Sequence, residues 1–83
     1  MNTKIYVGNL SFETENSDLE SLFSAHGEVK TANVVRDKES GRARGFGFVE
    51  MSQASHADSA IESLNQSQFM GRNIVVNMAK ERN

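Results

Sequence analysis

The sequence contains no cysteine, which removes disulfide frameworks, cysteine zinc sites and thiol nucleophiles from consideration. It also lacks any apolar run approaching the ~18 residues of a membrane-spanning helix, and its first residues lack the apolar segment of a secretion signal. These absences predict a cytoplasmic protein in a reducing compartment. At 83 residues the chain is too short for two domains with a catalytic cleft between them. We therefore predict one domain over residues 1–83, with a core from about residue 3 to residue 80.

An excess of positive charge is also missing. Nine Lys and Arg residues stand against eleven Asp and Glu residues, which gives a net charge of −2. This balance argues against a protein that coats nucleic acid by bulk charge alone. The distribution of charge along the chain must decide whether one face is basic.

Hydrophobic spacing in the first half predicts a strand, a helix and a hairpin. Residues 4–8 alternate as a half-buried strand does. A helical stripe follows, formed by Leu19, Leu22 and Phe23. Its candidate N-caps are Thr14, Asn16 and Ser17. Gly27 is expected to close this helix, after which residues 29–36 and 44–51 form antiparallel strands around a turn at 37–41.

The second half predicts one more helix and one more strand. Ser52 can cap the helix, Asn65 is a plausible left-handed stop, and residues 73–79 alternate again. The apolar stripe of this helix consists of Ala57, Ala60, Ile61 and Leu64. The resulting order is strand, helix, strand, strand, helix, strand, which predicts an α+β fold. Both helices would cover one face of a four-stranded antiparallel sheet, so the other face would be bare.

Side-chain alternation in the segment from Arg44 to Met51 separates its residues into two sets. One set comprises Arg44, Phe46, Phe48 and Glu50, and the other Gly45, Gly47, Val49 and Met51. Because charged residues at both ends of the first set cannot sensibly face an apolar core, both phenylalanines are predicted to lie on the bare face. Tyr6 has the same parity in the first strand. Each exposed ring forgoes roughly 1.5 to 3 kcal/mol of burial, which indicates a function for this surface.

The alternative is the opposite register, which would make the two phenylalanines core residues and would bury Arg44 and Glu50. The glycines at 45 and 47 favour the first register, because residues without side chains on the covered face allow the backbone to lie close to the helices.

Charge is divided between the two predicted layers. Residues 11–28 contain no Lys or Arg and five acidic residues, namely Glu13, Glu15, Asp18, Glu20 and Glu28. The strands, their ends and the hairpin loop carry most of the cations, namely Lys4, Arg36, Lys38, Arg42, Arg44, Arg72, Lys80 and Arg82. A flat aromatic surface rimmed by cations suits unpaired nucleotides, whose bases stack on rings while their phosphates meet Lys and Arg.

Two segments carry a family resemblance. Residues 5–10, Ile-Tyr-Val-Gly-Asn-Leu, resemble the RNP2 hexamer of RNA recognition motif domains, and residues 44–51 resemble the RNP1 octamer. The octamer pattern is met through Val49, and Met51 stands where an aromatic residue is more usual. The similarity extends over nearly the whole chain, and small single-domain bacterial members look closest because no Gly-rich or Arg/Ser-rich tail is attached. It implies a ferredoxin-like βαββαβ sandwich.

The resemblance also implies roles for individual residues. Tyr6 and Phe48 would each stack a base, Phe46 would pack on the sugars between them, and Arg44 would contact phosphate. Exposed positions on the outer strands would flank the bases, namely Asn33, Val35, Asn77 and Ala79. The basic residues of the predicted site are completed by Lys4, Arg42 and Lys80. The partner implied is single-stranded RNA, with single-stranded DNA as a possible substitute, bound by a monomer that acts as RNA regulator or chaperone without a cofactor. Where many relatives have Asn-Gly, this chain has Asn65-Gln66, which puts the geometry of that loop in question.

Other functions are less well supported by the residues. Enzymes such as acylphosphatase share this topology, but the sequence has no Gly-rich phosphate-cradling loop and no acid, base or nucleophile constellation. His26 and His56 lack cysteine partners and are more simply surface residues than metal ligands. Protein binding is the stronger alternative, since some domains of this type hold peptides on their helices or on a degenerate sheet. Three further rings are expected to pack in the core or at its edge and are excluded from the site, namely Phe12, Phe23 and Phe69.

Overall fold

The computed structural model describes residues 3–79, apart from the side chain of Ala43. The strands are β1 (Lys4–Gly8), β2 (Val29–Arg36), β3 (Ala43–Met51), β4 (Gln68–Phe69), β5 (Arg72–Asn73) and β6 (Val75–Met78). The helices are α1 (Asn16–Ser24) and α2 (Ala54–Leu64). Neither helix in this part of the chain has the length and apolar character needed to cross a membrane.

The main sheet has four antiparallel strands in the order β2-β3-β1-β6. The two strands that carry the predicted motifs, β1 and β3, are therefore the central pair, and β2 and β6 form the edges. This arrangement confirms the predicted α+β, ferredoxin-like fold. It also brings residues that are about 40 positions apart in sequence into direct cross-strand contact, as Tyr6 and Phe48 illustrate.

The hydrophobic core lies on one face of this sheet. Alternate residues of β1, β3 and β6 are fully buried against both helices. The strands contribute Ile5, Val7, Val49 and Val76, and the helices contribute Leu19, Phe23, Ala57 and Ala60. The residues between them on the strands point to the opposite face and are exposed or half-buried. One buried stripe per helix and one buried face per sheet is the arrangement that alternation and helical spacing predicted.

Gly47 confirms the reasoning about close backbone approach. A Cβ atom at this position would lie 2.5 Å from the Asn33 carbonyl oxygen and 3.1 Å from the Leu19 Cδ1 atom of α1. Gly45 differs, since its φ of +86° requires glycine for backbone reasons.

The N-caps of both helices and the conformation at the end of α2 differ from the predicted ones. The N-cap of α1 is Glu15, whose backbone N–H donates to the Asp18 carboxylate at 2.8 Å. The N-cap of α2 is Gln53 rather than Ser52. At the end of α2 the left-handed residue is Gln66, with φ of +67°, while Asn65 is extended. Asn65 is extended because its side chain is hydrogen-bonded to the sheet. Its Oδ1 atom accepts the N–H of Val76 at 2.9 Å.

A short hairpin of β4 and β5 precedes the last strand and was not predicted. Its tip residues, Met70 and Gly71, have φ values of +52° and +83°, as a type I′ turn requires. The hairpin ends at Asn73, so the fourth strand of the main sheet is shorter than the predicted segment 73–79.

Each edge strand has a backbone N–H group that donates a hydrogen bond to an asparagine side chain. Asn16, at the start of α1, accepts the N–H of Val34 in β2 at 2.7 Å, and Asn65 accepts that of Val76 in β6. These two bonds tie the helices to opposite edges of the sheet.

Candidate nucleic-acid interface

Three aromatic rings lie together on the face of the sheet that the helices leave bare. Tyr6 in β1 stands directly opposite Phe48 in β3, and Phe46 is two residues away from Phe48 on the same face. The ring centroids are separated by 6.0 Å for Tyr6 and Phe46, 5.9 Å for Tyr6 and Phe48, and 6.1 Å for the two phenylalanines. All three rings are half-buried. We call Tyr6, Phe46 and Phe48 the aromatic platform.

The register of the four strands extends this platform into a row. Phe48 pairs with Asn33 on β2, and Tyr6 pairs with Asn77 on β6. The row across the sheet therefore reads amide, ring, ring, amide. Both asparagines are exposed, and each side chain offers donors and an acceptor beside a ring on which a flat ligand can stack.

Lys4 lies at one end of the platform. Its Nζ atom is 5.1 Å from the centroid of the Phe48 ring, within the range of a cation–π contact. This position also brings a positive charge close to any anionic group that reaches the Phe48 ring.

Gly8 supports the Tyr6 ring from beneath. A Cβ atom at Gly8 would lie 2.6 Å from the Tyr6 Oη atom and 2.9 Å from its Cε2 atom. The ring can therefore occupy its position on the sheet only because residue 8 has no side chain.

Two predicted cations, Arg42 and Arg44, are exposed where the β2–β3 loop meets β3. This loop is held by Asp37, whose carboxylate accepts the N–H groups of Glu39 at 2.8 Å and Ser40 at 3.2 Å. These hydrogen bonds, with a smaller contribution from the charge of Arg44, hold the pKa of the Asp37 carboxyl below its usual range. The loop is thus preorganised around an ionised aspartate.

Two of the four predicted outer-strand positions, Val35 and Ala79, are less exposed than Asn33 and Asn77. Val35 is half-buried in β2. The predicted exposure of Ala79 is wrong, because this residue is only 6% exposed beyond the end of β6. Its single methyl group lies close to the backbone, and its N–H is bonded to the Lys4 carbonyl at 2.9 Å. Lys80 lies outside the described part of the chain.

One ring that sequence reasoning assigned to packing is exposed. Phe12 is 71% exposed in the turn between β1 and α1, whereas Phe23 is fully buried and Phe69 packs against the core. No periodicity marks a single residue in a turn, so the sequence pattern held no signal for its exposure.

The β4–β5 hairpin is fastened to the same turn through Arg72. Its Nη2 atom donates to the Asn9 side chain at 2.7 Å and its Nε atom donates to the Asn9 carbonyl at 3.2 Å. The Asn9 amide also bonds to the Asn73 carbonyl. Arg72, one of the predicted basic residues, therefore has a structural role at this end of the sheet.

The described residues contain no group of three or more His, Cys, Asp or Glu side chains arranged to hold a metal ion. The fold and the aromatic platform define a small β-sheet binding module. The family model of the RNA recognition motif matches residues 5–75, and the chain belongs to this family. The family is one of binding domains, so the shared topology with enzymes carries no catalytic implication.

Among relatives, the chain is 46% identical over 78 residues to the putative RNA-binding protein RbpA of Synechocystis, covering 94% of this chain and 77% of the relative. It is 51% identical over 79 residues to the chloroplastic 28 kDa ribonucleoprotein of Spinacia oleracea, covering 95% of this chain. This chain spans only 34% of the length of that ribonucleoprotein.

Solved structures resemble the whole fold. The crystal structure of RNA-binding protein PG1 superposes with a TM-score of 0.93 at 46% identity and covers 98% of both chains. A sex-lethal protein in complex with RNA superposes with the same TM-score of 0.93 at 26% identity, covering 100% of this chain and 50% of that chain.

Proposed function

We propose that the chain binds single-stranded RNA on the aromatic platform and does so without catalysis. The observation that carries this proposal is the triangle of half-buried rings with centroids about 6 Å apart on a sheet face that no helix covers. The family match and the RNA complex of a structural neighbour support RNA as the ligand.

Binding would use two kinds of contact. One base stacks on Tyr6 and the next on Phe48, while Phe46 packs against the sugars between them. Arg44 and Lys4 would meet phosphates, because both cations border the platform. Stacking tolerates every base, so these contacts supply affinity without selecting a sequence.

Sequence preference would come from the ends of the row. The amides of Asn33 and Asn77 lie opposite Phe48 and Tyr6, where they can reach the edges of stacked bases. Uncharged amides favour a soft preference over a strict one. Val35 and Arg42 complete the proposed site at the end of the sheet nearer to the β2–β3 loop.

The size of this site implies weak binding. Three stacking contacts at about 1 to 3 kcal/mol each, reduced by the cost of association, give an affinity near micromolar for about three or four nucleotides. An RNA regulator or chaperone, acting as a monomeric single domain, fits such an affinity. The cytoplasmic location predicted from the sequence stays a proposal, because the relatives include proteins named as chloroplastic and mitochondrial.

The test uses a property of the composition. Tyr6 is the one tyrosine and there is no tryptophan, so intrinsic emission reports on the platform itself. Addition of short single-stranded RNA should quench this emission, and amide shifts of the labelled protein should change on β1 and β3. The same titration with single-stranded DNA measures whether RNA is preferred.

The Phe48→Ala variant should weaken binding by about 1 to 3 kcal/mol with the fold intact, because this ring supports no core residue. Phe69→Ala is the matched control, since it also removes a ring but from the packed side, and it should lower stability rather than affinity. Unchanged affinity in Phe48→Ala, together with amide shifts confined to the helices, would favour the protein-binding alternative.

A further inference from the structure

Met70, at the tip of the β4–β5 hairpin, is 44% exposed to solvent. The methionines at 51 and 78 differ from it, since Met51 is fully buried and Met78 packs against the core. Met70 also has a φ of +52°, at a position of a type I′ turn where asparagine or glycine is the usual residue. Neither core packing nor turn geometry therefore explains a methionine here.

The sulfur of Met70 contacts a buried hydroxyl group. The Thr14 Oγ1 atom donates a hydrogen bond to the Met70 Sδ atom at 3.5 Å, and Thr14 is fully buried. Thr14 lies in the turn between β1 and α1, directly before the N-cap residue Glu15. The thioether thus joins the hairpin tip to this turn, although a thioether is only a weak acceptor.

This position gives the sulfur a nucleophilic role that the core methionines lack. One lone pair of the thioether accepts the Thr14 hydroxyl, which leaves the second lone pair available for reaction. When that pair attacks hydrogen peroxide, an S–O bond forms and the O–O bond breaks. The departing hydroxide takes the proton of the transferred hydroxyl and leaves as water. The sulfur loses two electrons, and the peroxide gains them.

The geometry points to Met70 as a reversible oxidation site, at which hydrogen peroxide converts the thioether to the sulfoxide and releases the hairpin tip from the β1–α1 turn. The new oxygen takes the place of the free lone pair, on the side of the sulfur away from Thr14, and it favours water. The electron-poor sulfoxide sulfur no longer accepts the hydroxyl, so a buried donor loses its partner. The base of the hairpin stays attached, because Arg72 and Asn73 both bond to Asn9.

The test treats the folded protein with dilute hydrogen peroxide. Cleavage after glutamate, lysine and arginine places the four methionines in separate peptides, whose masses report each added oxygen. Met70 should be oxidised about tenfold or more faster than Met51 and Met78. Denaturant unfolding of the product should show a folding equilibrium constant lowered about fivefold or more. Treatment with the two methionine sulfoxide reductases, one for each epimer, should restore the original value.

Matched variants separate the proposed coupling from general oxidative damage. Thr14→Val removes the hydroxyl, so peroxide should still oxidise Met70 but should no longer change the stability. Thr14→Ser keeps a hydroxyl and should retain the loss, whereas Met70→Leu should abolish it. Oxidation of Met51 or Met78 as fast as Met70 in the folded protein would overturn the site. An equal loss of stability in the wild type and in Thr14→Val would overturn the release of the hairpin tip. RNA enters no step, so these outcomes are independent of the proposed function.

Discussion

Gly8 determines where the ring of Tyr6, two residues earlier in the chain, can lie. The Tyr6 ring lies over Gly8. A Cβ atom at Gly8 would be 2.6 Å from the Tyr6 Oη atom, which is too close for two non-bonded atoms. The backbone at Gly8 is not in the left-handed region, so alanine is compatible with the main chain but not with the ring. At the scale of single residues, a missing side chain thus orients a ligand-binding side chain.

Gly8→Ala should therefore displace the Tyr6 ring and weaken RNA binding by about 1 kcal/mol, part of one stacking contact, with little change in the free energy of unfolding. Titration of RNA followed by anisotropy, together with denaturant unfolding, measures both quantities. In a Tyr6→Ala background the same substitution should have no effect on affinity. An equal loss in both backgrounds would mean that Gly8 acts on binding by another route.

Asp37 makes the β2–β3 loop sensitive to acid. Its pKa is lowered in the folded protein, so the carboxylate stabilises the loop at pH values above the ordinary aspartate pKa, and this stabilisation is lost as the pH falls through the lowered pKa. The amide resonances of Glu39 and Ser40 should shift together at a pH below that of an unperturbed aspartate. Asp37→Asn should abolish this titration, and a midpoint at or above the ordinary value would contradict the proposed bonding.

Residue patterns predicted the platform better than its surroundings. Alternation and charge at Arg44 and Glu50 were sufficient to orient Phe46 and Phe48, because a strand allows only two directions for a side chain. The same logic failed at Ala79, since parity gives direction but not coverage. It could not find Phe12, because a turn has no period from which direction can be read.

At the scale of elements, the helix and strand bodies follow hydrophobic spacing while their ends follow local hydrogen bonds. The predicted spans of β1 and β2 coincide with the observed ones, and β3 begins one residue earlier. The sequence predicted that α2 ends near Asn65, but it could not predict the conformation there, because Asn65 is extended and its side chain bonds to Val76. A long-range partner of this kind is invisible to a local pattern.

Gln66, which follows the extended Asn65, adopts a left-handed backbone conformation that is unfavourable for a residue with a Cβ atom. Its φ of +67° lies in the left-handed region, where a residue with a Cβ atom loses roughly 1 to 2 kcal/mol and glycine does not. Gln66→Gly should raise the free energy of unfolding by about 0.5 to 1 kcal/mol after the greater entropy of unfolded glycine is counted. Chemical denaturation measures this difference.

The neighbouring strand residue Gln68 provides the control for Gln66→Gly. Gln68 is exposed in β4 and has no positive φ, so Gln68→Gly should lower stability. The interpretation of Gln66 is wrong if both substitutions destabilise the protein to the same extent.

At the scale of the whole molecule, the acidic helices and the basic platform border allow an anionic protein to bind an anionic ligand. The net charge of −2 is the sum of two layers with opposite character. Binding of phosphate should then depend on cations at the platform and not on the total charge.

Arg44→Ala should lower affinity almost equally for all RNA sequences and reduce the slope of log affinity against log salt by about 0.7, the contribution of one phosphate on a single strand. Glu20→Gln, an exposed position on α1, changes the net charge to the same extent and should leave the slope unchanged. Loss of one base preference in Arg44→Ala would rule out a phosphate role.

The hydrogen bonds from the N–H groups of Val34 and Val76 to asparagine side chains affect how two copies of the protein can meet. Open strand edges are templates onto which a second copy can add its own strand. Asn16 and Asn65 each occupy one such amide, so neither amide is available to pair with a strand of a second copy bound nearby.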